Sequence, residues 1–583
     1  MTQQTDEDRL RAALSNLSSY ALHPSASGPV TIVETHISIV ALVGDLVFKA
    51  KKPRKLPFLD FSTRELRRAV CLEEVRLNRR LCPHVYLGTA ALRRERDGAL
   101  RFSAIDAPTS LDDFECAVVM RRLPQERMLD RLLADGAVTR DQIEQLARSI
   151  ARFHARAERG ESTRRHGDPS HLMALAAANF DELAGIQASS HHPNSPATAS
   201  EHEHDSASMQ RASLDTSSPA GNAATTAPFA PRQLLLALRD AQWRGFLRIE
   251  SALRSRAERG FVVDGHGDLH ARNICMTDPP AIYDCLEFDA GLRCADTATD
   301  LAFLAMDLRH RRAPELCRAL VAAYIEESGD RELPSLLPTL VAYRAIVRAK
   351  VTALAASDPA LVATDRLRAT DSSTRHLLLA AMASLESTSL ETKASTWLVL
   401  CGPPGSGKST LATTLATACG ASLVSTDAVR KHLAGVAPSE RLPASCYTPE
   451  ASANTYRQVL DDARCATRNG VASVVLDGNF HSPELRGLAV AAAIAASARV
   501  LFIHVDVPPT TGLARVTARM ADPARASDAD PTLHDALRAR FVAPTPDEPI
   551  ASVRVDGAAP PLHVAAATLT AALLRDSERG QGS

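Results

Sequence analysis

Apolar and polar positions change rhythm several times along this chain. The stretch "ISIVALVGDLVFKAKKP" (37–53) reads as a hairpin: two strand-forming runs turn at Gly44-Asp45, and Lys49 ends the second. "FSTRELRRAVCLEEVRLNRRL" (61–81) then switches to a helical period. Ser62 with Glu65 three residues on is a capping-box signal for its start. Leu66, Val70, Leu77 and Leu81 share one face of the predicted helix, and Glu73 falls in the middle of it. A carboxylate on an apolar face requires a cation. Lys49 is the natural partner, with Glu74 as the next candidate acid. The competing possibility leaves both glutamates in water and makes Lys49 one of several surface lysines.

After residue 125 the pattern is mostly helical, so the first half predicts an α+β domain with a small strand-rich lobe and a larger helical lobe. Residues 187–231 are mainly Ser, Ala, Thr, Pro, His, Asn and Asp. Such a stretch buries too little apolar surface to offset its ordering entropy, and it predicts a disordered insertion. Its histidines, His191, His192, His202 and His204, lack a scaffold to set metal geometry, which favours low-complexity drift over a metal site. A polar break at 386–394 precedes a new rhythm. "TWLVLCG", "ASVVLDG", "RVLFIHVDV" and "ASVRVDG" alternate with helical segments, the βαβ signature of a parallel sheet covered by helices. The expected organisation is a helical or disordered lead (1–27), a first domain (28–385), a linker (386–394), a second domain (395–575) and a disordered tail (576–583).

Composition narrows the classes. The chain has 583 residues, more than one hydrophobic core accommodates. Lys+Arg (67) and Asp+Glu (68) balance to a net charge of -1, which argues against a protein devoted to nucleic acid or an anionic membrane. The 11 cysteines include no CxxC pair, so reduced thiols are expected. The polar, acidic start is not a signal peptide, and no apolar run reaches the ~20 residues of a membrane span. The expectation is a soluble, cytoplasmic protein.

"STWLVLCGPPGSGKSTLATTLATACG" (395–420) satisfies G-x-x-x-x-G-K-[ST] between an apolar strand and a helix that Gly420 can end. Gly402, Gly405 and Gly407 free the backbone amides to wrap phosphates at a helix N-terminus. Lys408 reaches the terminal phosphates, Ser409 offers its hydroxyl to Mg²⁺, and Thr410 continues the cradle. Asp477 ends a strand, the usual place for an acid near that metal. Asp427 ends another strand, followed by Arg430 on a helix. Arg515 and Arg519 lie one turn apart before a polar loop carrying Arg525, placed to meet phosphoryl charge or simply to be solvated.

A second chemical stretch, "DGHGDLHARNI" (264–274), admits a metal cluster of His266, Asp268 and His270, a packed turn, or a phosphotransferase catalytic loop. Such a loop needs a base for the acceptor hydroxyl and, five residues later, an amide for Mg²⁺. Asp268 and Asn273 have that spacing. "PPAIYDCLEF" supplies a second metal-binding acid, Asp284, eleven residues past Asn273. The order of these elements favours the catalytic loop.

These residues carry two resemblances. Residues 395–575 resemble the P-loop small-molecule kinases related to gluconate kinase and the zeta-toxin group. The resemblance implies that Asp427 and Arg430 face the acceptor, that Arg515, Arg519 and Arg525 belong to a lid, and that Asp427 joins Lys408 as a catalytic candidate. Residues 28–385 resemble the aminoglycoside phosphotransferase-like kinases, in the branch often fused to a P-loop kinase. The matching segments are "VETHISIVALVGDLVFKAKKP", "FLDFSTRELRR", "EEVRLNRRL", "VVMRRLPQERMLDRLL", "DGHGDLHARNI" and "YDCLEFDAGLRCADTATDLAFLAMDL". This resemblance implies a bilobal protein-kinase-like fold, a nucleotide between the lobes, a hinge near Met120, and Asp300 bracing the catalytic loop through backbone amides. The loop at 34–38 departs from the pattern because it has no glycine, which leaves the hydroxyls of Thr35 and Ser38 as its candidate phosphate donors. Arg344 and Arg348, on one helical face, either hold an anionic acceptor or face solvent.

The expectation is thus a multidomain bifunctional phosphotransferase: an α+β bilobal protein-kinase-like domain followed by an α/β P-loop NTPase domain with a parallel sheet. ATP and Mg²⁺ are the implied cofactors. Small-molecule acceptors are the implied partners, with no nucleic acid and no membrane. A protein in which one domain binds ATP without transferring phosphate is the alternative.

Overall fold

The structure is a computed structural model. It describes residues 5–56, 59–108, 110, 112–191, 231–359, 361–389, 395–437, 440, 442–519, 532 and 534–580. The expected disorder of 192–230, including His192, His202 and His204, lies outside them, as do the His191 side chain, the Arg519 side chain and Arg525.

The first lobe is a six-stranded sheet, ordered Val30–Glu34, Ser38–Val43, Leu46–Lys51, Glu115–Arg121, Tyr86–Arg94, Leu100–Phe102, and antiparallel throughout. The hairpin closes at Gly44-Asp45 with Val43 opposite Leu46. Its second strand runs two residues past Lys49. Alternation along a strand therefore puts Lys49 and Lys51 on one face and Phe48 on the other. Phe48 packs with Tyr20 and Phe102 beneath the helix Asp6–Ser15, whose Leu10 and Leu14 are buried there. Leu10, Ala13, Leu14 and Tyr20 of the expected lead are thus part of the lobe's core.

The helix Arg64–Asn78 covers the opposite face. It starts one residue later than the capping-box reading. Thr63 Oγ1 caps it by accepting from Leu66 N at 3.3 Å, while Ser62 is held by Asp60. Its buried face is mixed and is not the predicted stripe of Leu66, Val70, Leu77 and Leu81, although Val75 and Leu77 lie on it. Arg67, Cys71, Glu74, Leu77 and Asn78 are buried, whereas Leu66 and Leu72 are exposed. Paired polar groups won the inner face, because Arg67 donates to Glu115 at 2.8 Å and Asn78 Oδ1 accepts from Cys285 N at 2.9 Å.

The second lobe is helical. The ladder Val262–Asp264 with Cys294–Asp296 and the ladder Ile274–Cys275 with Ala281–Ile282 frame residues 265–273. The helix Thr297–His310 packs behind that loop. The helix Pro169–His191 carries through the expected start of the insertion at residue 187 and buries Gln187.

The last domain is a five-stranded sheet, ordered Ser422–Ser425, Ser473–Asp477, Ser395–Cys401, Ala498–Asp506, Ser552–Asp556, and parallel in every pair. Two expected boundaries move. The helix Ala363–Ser389 runs through the start of the proposed linker, because Glu386 and Ser387 find buried partners instead of water. The helix Pro561–Gly580 runs through most of the proposed tail. Asp576 pairs with Arg499 at 2.7 Å, and Ser577 bonds Asp240 of the first domain at 3.2 Å. One apolar cluster runs from Leu301 and Leu340 through Leu378 and Leu415 to Leu398 and Leu569, so the two domains share a continuous core. None of the cysteines is disulfide-bonded. Among the described residues, no helix is long and apolar enough to cross a membrane.

Candidate active sites

The first site sits between the lobes. Lys49 Nζ lies 2.9 Å from Glu74 Oε1 and 2.6 Å from Asp284 Oδ1, and Lys51 Nζ lies 2.6 Å from Glu74 Oε2 and 2.5 Å from Glu287. The lysine's partner on the helix is Glu74, not Glu73. Glu73 is half-buried and turns to Arg76 at 2.7 Å. Burial opposes charge on Glu74, but Lys49 and Lys51 outweigh it and hold the carboxyl down to about 2. Burial also opposes charge on Lys49, and Asp284 with Glu74 overcomes it, keeping the ammonium protonated. Replacing Glu74 by Gln is expected to cost about 2 kcal/mol, because Asp284 and Glu287 still face the two lysines; Glu73→Gln is expected to cost under about 1 kcal/mol. Urea denaturation of the two variants distinguishes them, and equal losses would contradict this assignment.

Asp284 has a left-handed backbone, φ 61°. A non-glycine residue there is strained, and strain of this kind persists where neighbours over-determine it. Here Tyr86 OH accepts from Asp284 N at 3.3 Å while Lys49 holds the carboxylate.

The loop 264–274 lies opposite. Asn273 Nδ2 donates to Asp268 Oδ2 at 3.0 Å, and Tyr283 N donates to Asn273 O at 3.0 Å, so Asp284 directly follows the residue bonded to Asn273. Burial raises the Asp268 carboxyl. The charge and hydrogen bond of His270, followed by Arg348 and His266, more than offset this and hold it well below the usual carboxylate range. His266 is a strut: its backbone N donates to Asp300, and its Nε2 donates to Tyr283 O at 3.0 Å. Asp300 also accepts from Gly267 N at 2.9 Å, so it braces the loop through two amides. His154 contacts the same carboxylate at 3.2 Å. Asp307, two helical turns on, accepts from Ala271 N at 2.9 Å. Among the described residues no cluster of His, Cys, Asp and Glu is arranged to hold a metal by itself, which disfavours the His266/Asp268/His270 reading.

Two further expectations change here. Thr35 Oγ1 is used inside its own turn, accepting from Ser38 N at 2.9 Å, and the Ser38 side chain is buried. Neither is set out as a phosphate donor. Arg344 is buried, donating to Thr299 O at 3.1 Å over the Phe303 ring, so only Arg348 of that pair remains available to a ligand. Met120 ends the last sheet strand but one residue and is buried.

The second site is the loop 402–409. Gly405 has φ 76°, and a Cβ there would meet Gly512 O at 2.2 Å; one on Gly402 would meet Val505 O at 2.3 Å. Only glycine permits this loop on its bed. The helix Lys408–Cys419 has no side-chain cap, which leaves its first amides to an anion. Lys408 Nζ donates to Pro403 O at 2.8 Å across the loop, while Ser409 and Thr410 are exposed. Asp477 lies at a strand end, 8% exposed, with Ser425 Oγ 3.5 Å away. Asp427 does not end the strand Ser422–Ser425 but lies in the first turn of the helix Thr426–Leu433, with Arg430 on the same helix over the Tyr447 ring. Beside the loop is a cavity of about 330 Å³ lined by Gly407, Thr410, Leu411, Arg515, Gly557 and Pro561. Two of these lining residues are bonded to each other, Arg515 donating to Gly557 O at 2.8 Å. Arg519 lies at the end of the same helix, Pro509–Arg519.

Several partners escaped the sequence reading although signals existed. Lys51 is two strand residues past Lys49, on the same face. Asp307 is seven residues past Asp300, on the same helical face. Arg486, fully buried and paired with Glu548, had no local signal.

The fold and the sites define a chain in which a protein-kinase-like domain is joined to a P-loop domain of the AAA type. The family described as "AAA domain" matches residues 398–544. The chain belongs to the family of the uncharacterized protein Rv2004c of Mycobacterium tuberculosis, to which it is 32% identical over 478 residues, covering 80% of this chain and 82% of that one. The same figures hold for the uncharacterized protein Mb2027c of Mycobacterium bovis. Among solved structures, a choline/ethanolamine kinase family protein from Mesorhizobium loti is 13% identical, covers 64% of this chain and 95% of its own, and has a TM-score of 0.34. A gluconokinase from Sinorhizobium meliloti is 18% identical, covers 32% and 98%, and has a TM-score of 0.24.

Proposed function

We propose that the protein is a bifunctional phosphotransferase whose two domains each use Mg-ATP to phosphorylate a small-molecule alcohol. The supporting observation is the pairing, in one chain, of two chemically different anion-handling sites. One is the Lys49–Glu74–Asp284 and Asp268–Asn273 assembly, and the other is the loop around Lys408.

In the first domain, Lys49 is the group to orient phosphates, and Asn273 and Asp284 carry the oxygen ligands a hard divalent cation prefers. Bound Mg-ATP would supply the transferable phosphoryl group and the cation that neutralises its charge. Asp268 accepts the proton of the acceptor hydroxyl as that oxygen bonds phosphorus and the bond to the ADP oxygen breaks. Asn273 and Asp300 keep Asp268 aimed. In the second domain Lys408, Ser409 and Asp477 form the matching donor set, the cavity beside Arg515 suits a base, and Asp427 with Arg430 faces the acceptor side. The balanced charge of the chain supports free metabolites, not nucleic acid or membrane, as partners.

The test is transfer of label from γ-labelled ATP to a small-molecule extract, with products resolved. Replacing Lys408 by Ala in the full-length chain is expected to remove one set of labelled products, by about 10²-fold, and to leave the other. If all products survive that substitution, the second domain does not transfer phosphate. If a domain binds ATP but labels nothing, it is a nucleotide-gated binding domain.

A further inference from the structure

The helix Thr297–His310 contacts the catalytic loop through Asp307, which bonds Ala271 N, and through Phe303, whose ring lies 5.5 Å from that of His270. Arg344 of the helix Leu333–Ala356 sits over Phe303, and Arg348 follows one turn later. The neighbouring helix Ala363–Ser389 is pinned beside Arg348, with Ser373 Oγ donating to Ala349 O at 2.8 Å. This brings His376 onto His310, their rings stacked at 3.7 Å and 10°. Arg311 and Arg375, each next in sequence to one of these histidines, flank the pair.

The charge balance here is one-sided. Asp307 is taken by Arg311 at 3.0 Å and by Ala271 N. Arg348 and Arg375 have no ion-pair partner among the described residues, and His310 Nδ1 is buried without a hydrogen bond. Burial, together with the charges of Arg311, Arg348 and Arg375, drives His310 down to about 4 despite Asp307, so the ring is neutral. His270, whose ring meets Phe303 beneath Arg344, lies 3.3 Å from Asp268, so Arg348 stands one helical turn beyond a line of contacts that ends at the reacting carboxylate. Arg348 and Arg375 are half-buried, and with Asp307 taken by Arg311 an anion joining them would supply the negative charge that this corner lacks.

We infer that the acceptor of the first domain is an anion, a phosphorylated or carboxylated small alcohol, whose charged end is held by Arg348 and Arg375 with Arg311 beside them while its hydroxyl meets Asp268. The inference rests on the phosphotransfer reading of Asp268. A guanidinium cluster repels amines, so the site selects against cationic acceptors.

Two measurements on the full-length chain carrying Lys408→Ala test it. Calorimetry with inorganic phosphate reads the anion site without catalysis. Binding is expected to weaken at least about tenfold in Arg348→Gln/Arg375→Gln and to persist in Asp268→Asn. Unchanged phosphate binding in the double variant overturns the inference. Label transfer from γ-labelled ATP is then compared for anionic, neutral and cationic fractions of a deproteinised extract. Transfer is expected to the anionic fraction alone, with KM raised about tenfold and kcat little changed in Arg348→Gln. Transfer to the neutral or cationic fraction overturns it. Phosphatase treatment of the anionic fraction separates phosphomonoesters from carboxylates. Phosphate binding that depends on the arginines, with no fraction labelled, would retain the anion site and reject phosphotransfer by Asp268.

Discussion

Asp268→Asn is expected to lower kcat for phosphoryl transfer by the first domain about 10²- to 10⁴-fold, while ATP affinity stays within a few fold. The reasoning is geometric. Asp268 is a hydrogen-bond partner of Asn273 and His270, and neither Lys49 nor Glu74 depends on it. Asparagine keeps the shape and removes the proton acceptor. The carboxyl is held well below its ordinary range, so it is already ionised at any ordinary assay pH. The defect should therefore be the same at pH 5.5 and pH 8. Single-turnover kinetics with γ-labelled ATP measure the step. A kcat within threefold of wild type would remove Asp268 from the chemistry. A defect confined to high pH would assign the base to another group.

Arg309→Ala is expected to destabilise the protein by about 3–5 kcal/mol, although Arg309 touches neither site's reacting groups. Its guanidinium meets Glu386 through two hydrogen bonds of 2.8 Å each and also donates to Cys419 O at 3.1 Å, and Glu386 accepts from Ser473 Oγ at 2.8 Å. Four elements meet there: the helix Thr297–His310, the helix Ala363–Ser389, the parallel-sheet strand Ser473–Asp477 and the C-terminal end of the helix Lys408–Cys419. Burial disfavours the charge on Arg309, and Glu386 restores it. Alanine leaves the Glu386 carboxyl, 5% exposed, without its cation. Arg309→Met with Glu386→Leu should recover most of the loss, since apolar replacements remove both desolvation costs. Urea unfolding of the three full-length proteins measures the difference. A loss below about 1 kcal/mol in Arg309→Ala would show that the interface is wet and the pair inconsequential.

The same junction explains which parts of the chain were legible. The contacts within the loops 264–274 and 402–409 were readable because they are local: a carboxylate and an amide five residues apart, or glycines before a lysine and a helix. The hairpin at Gly44-Asp45 and the parallel strands follow from period and turn residues alone. The choice between Glu73 and Glu74 was not legible. They are adjacent on a helix whose aliphatic side chains are split between the two faces, and Arg67, Glu74 and Asn78 take the inner face beside Val75 and Leu77 because their partners, Glu115, two lysines and Cys285 N, arrive from other elements. The stretch "LESTSLETKA" looked like a linker for a related reason. At its start, Glu386 meets Arg309 and Ser473, 77 and 87 positions away in sequence, and Ser387 meets Thr339, 48 away.

By itself, the sequence determined that this chain has two domains of different class and two stretches with the residue spacing for handling phosphate, since both are set by backbone periodicity and short-range chemistry. Only the tertiary structure decided which acid neutralises Lys49, that Arg344 is buried against Thr299 and Phe303 while Arg348 is left half-exposed, and that the two domains share one core. Those outcomes depend on which polar groups meet across the fold, and buried charges settle where long-range partners satisfy them.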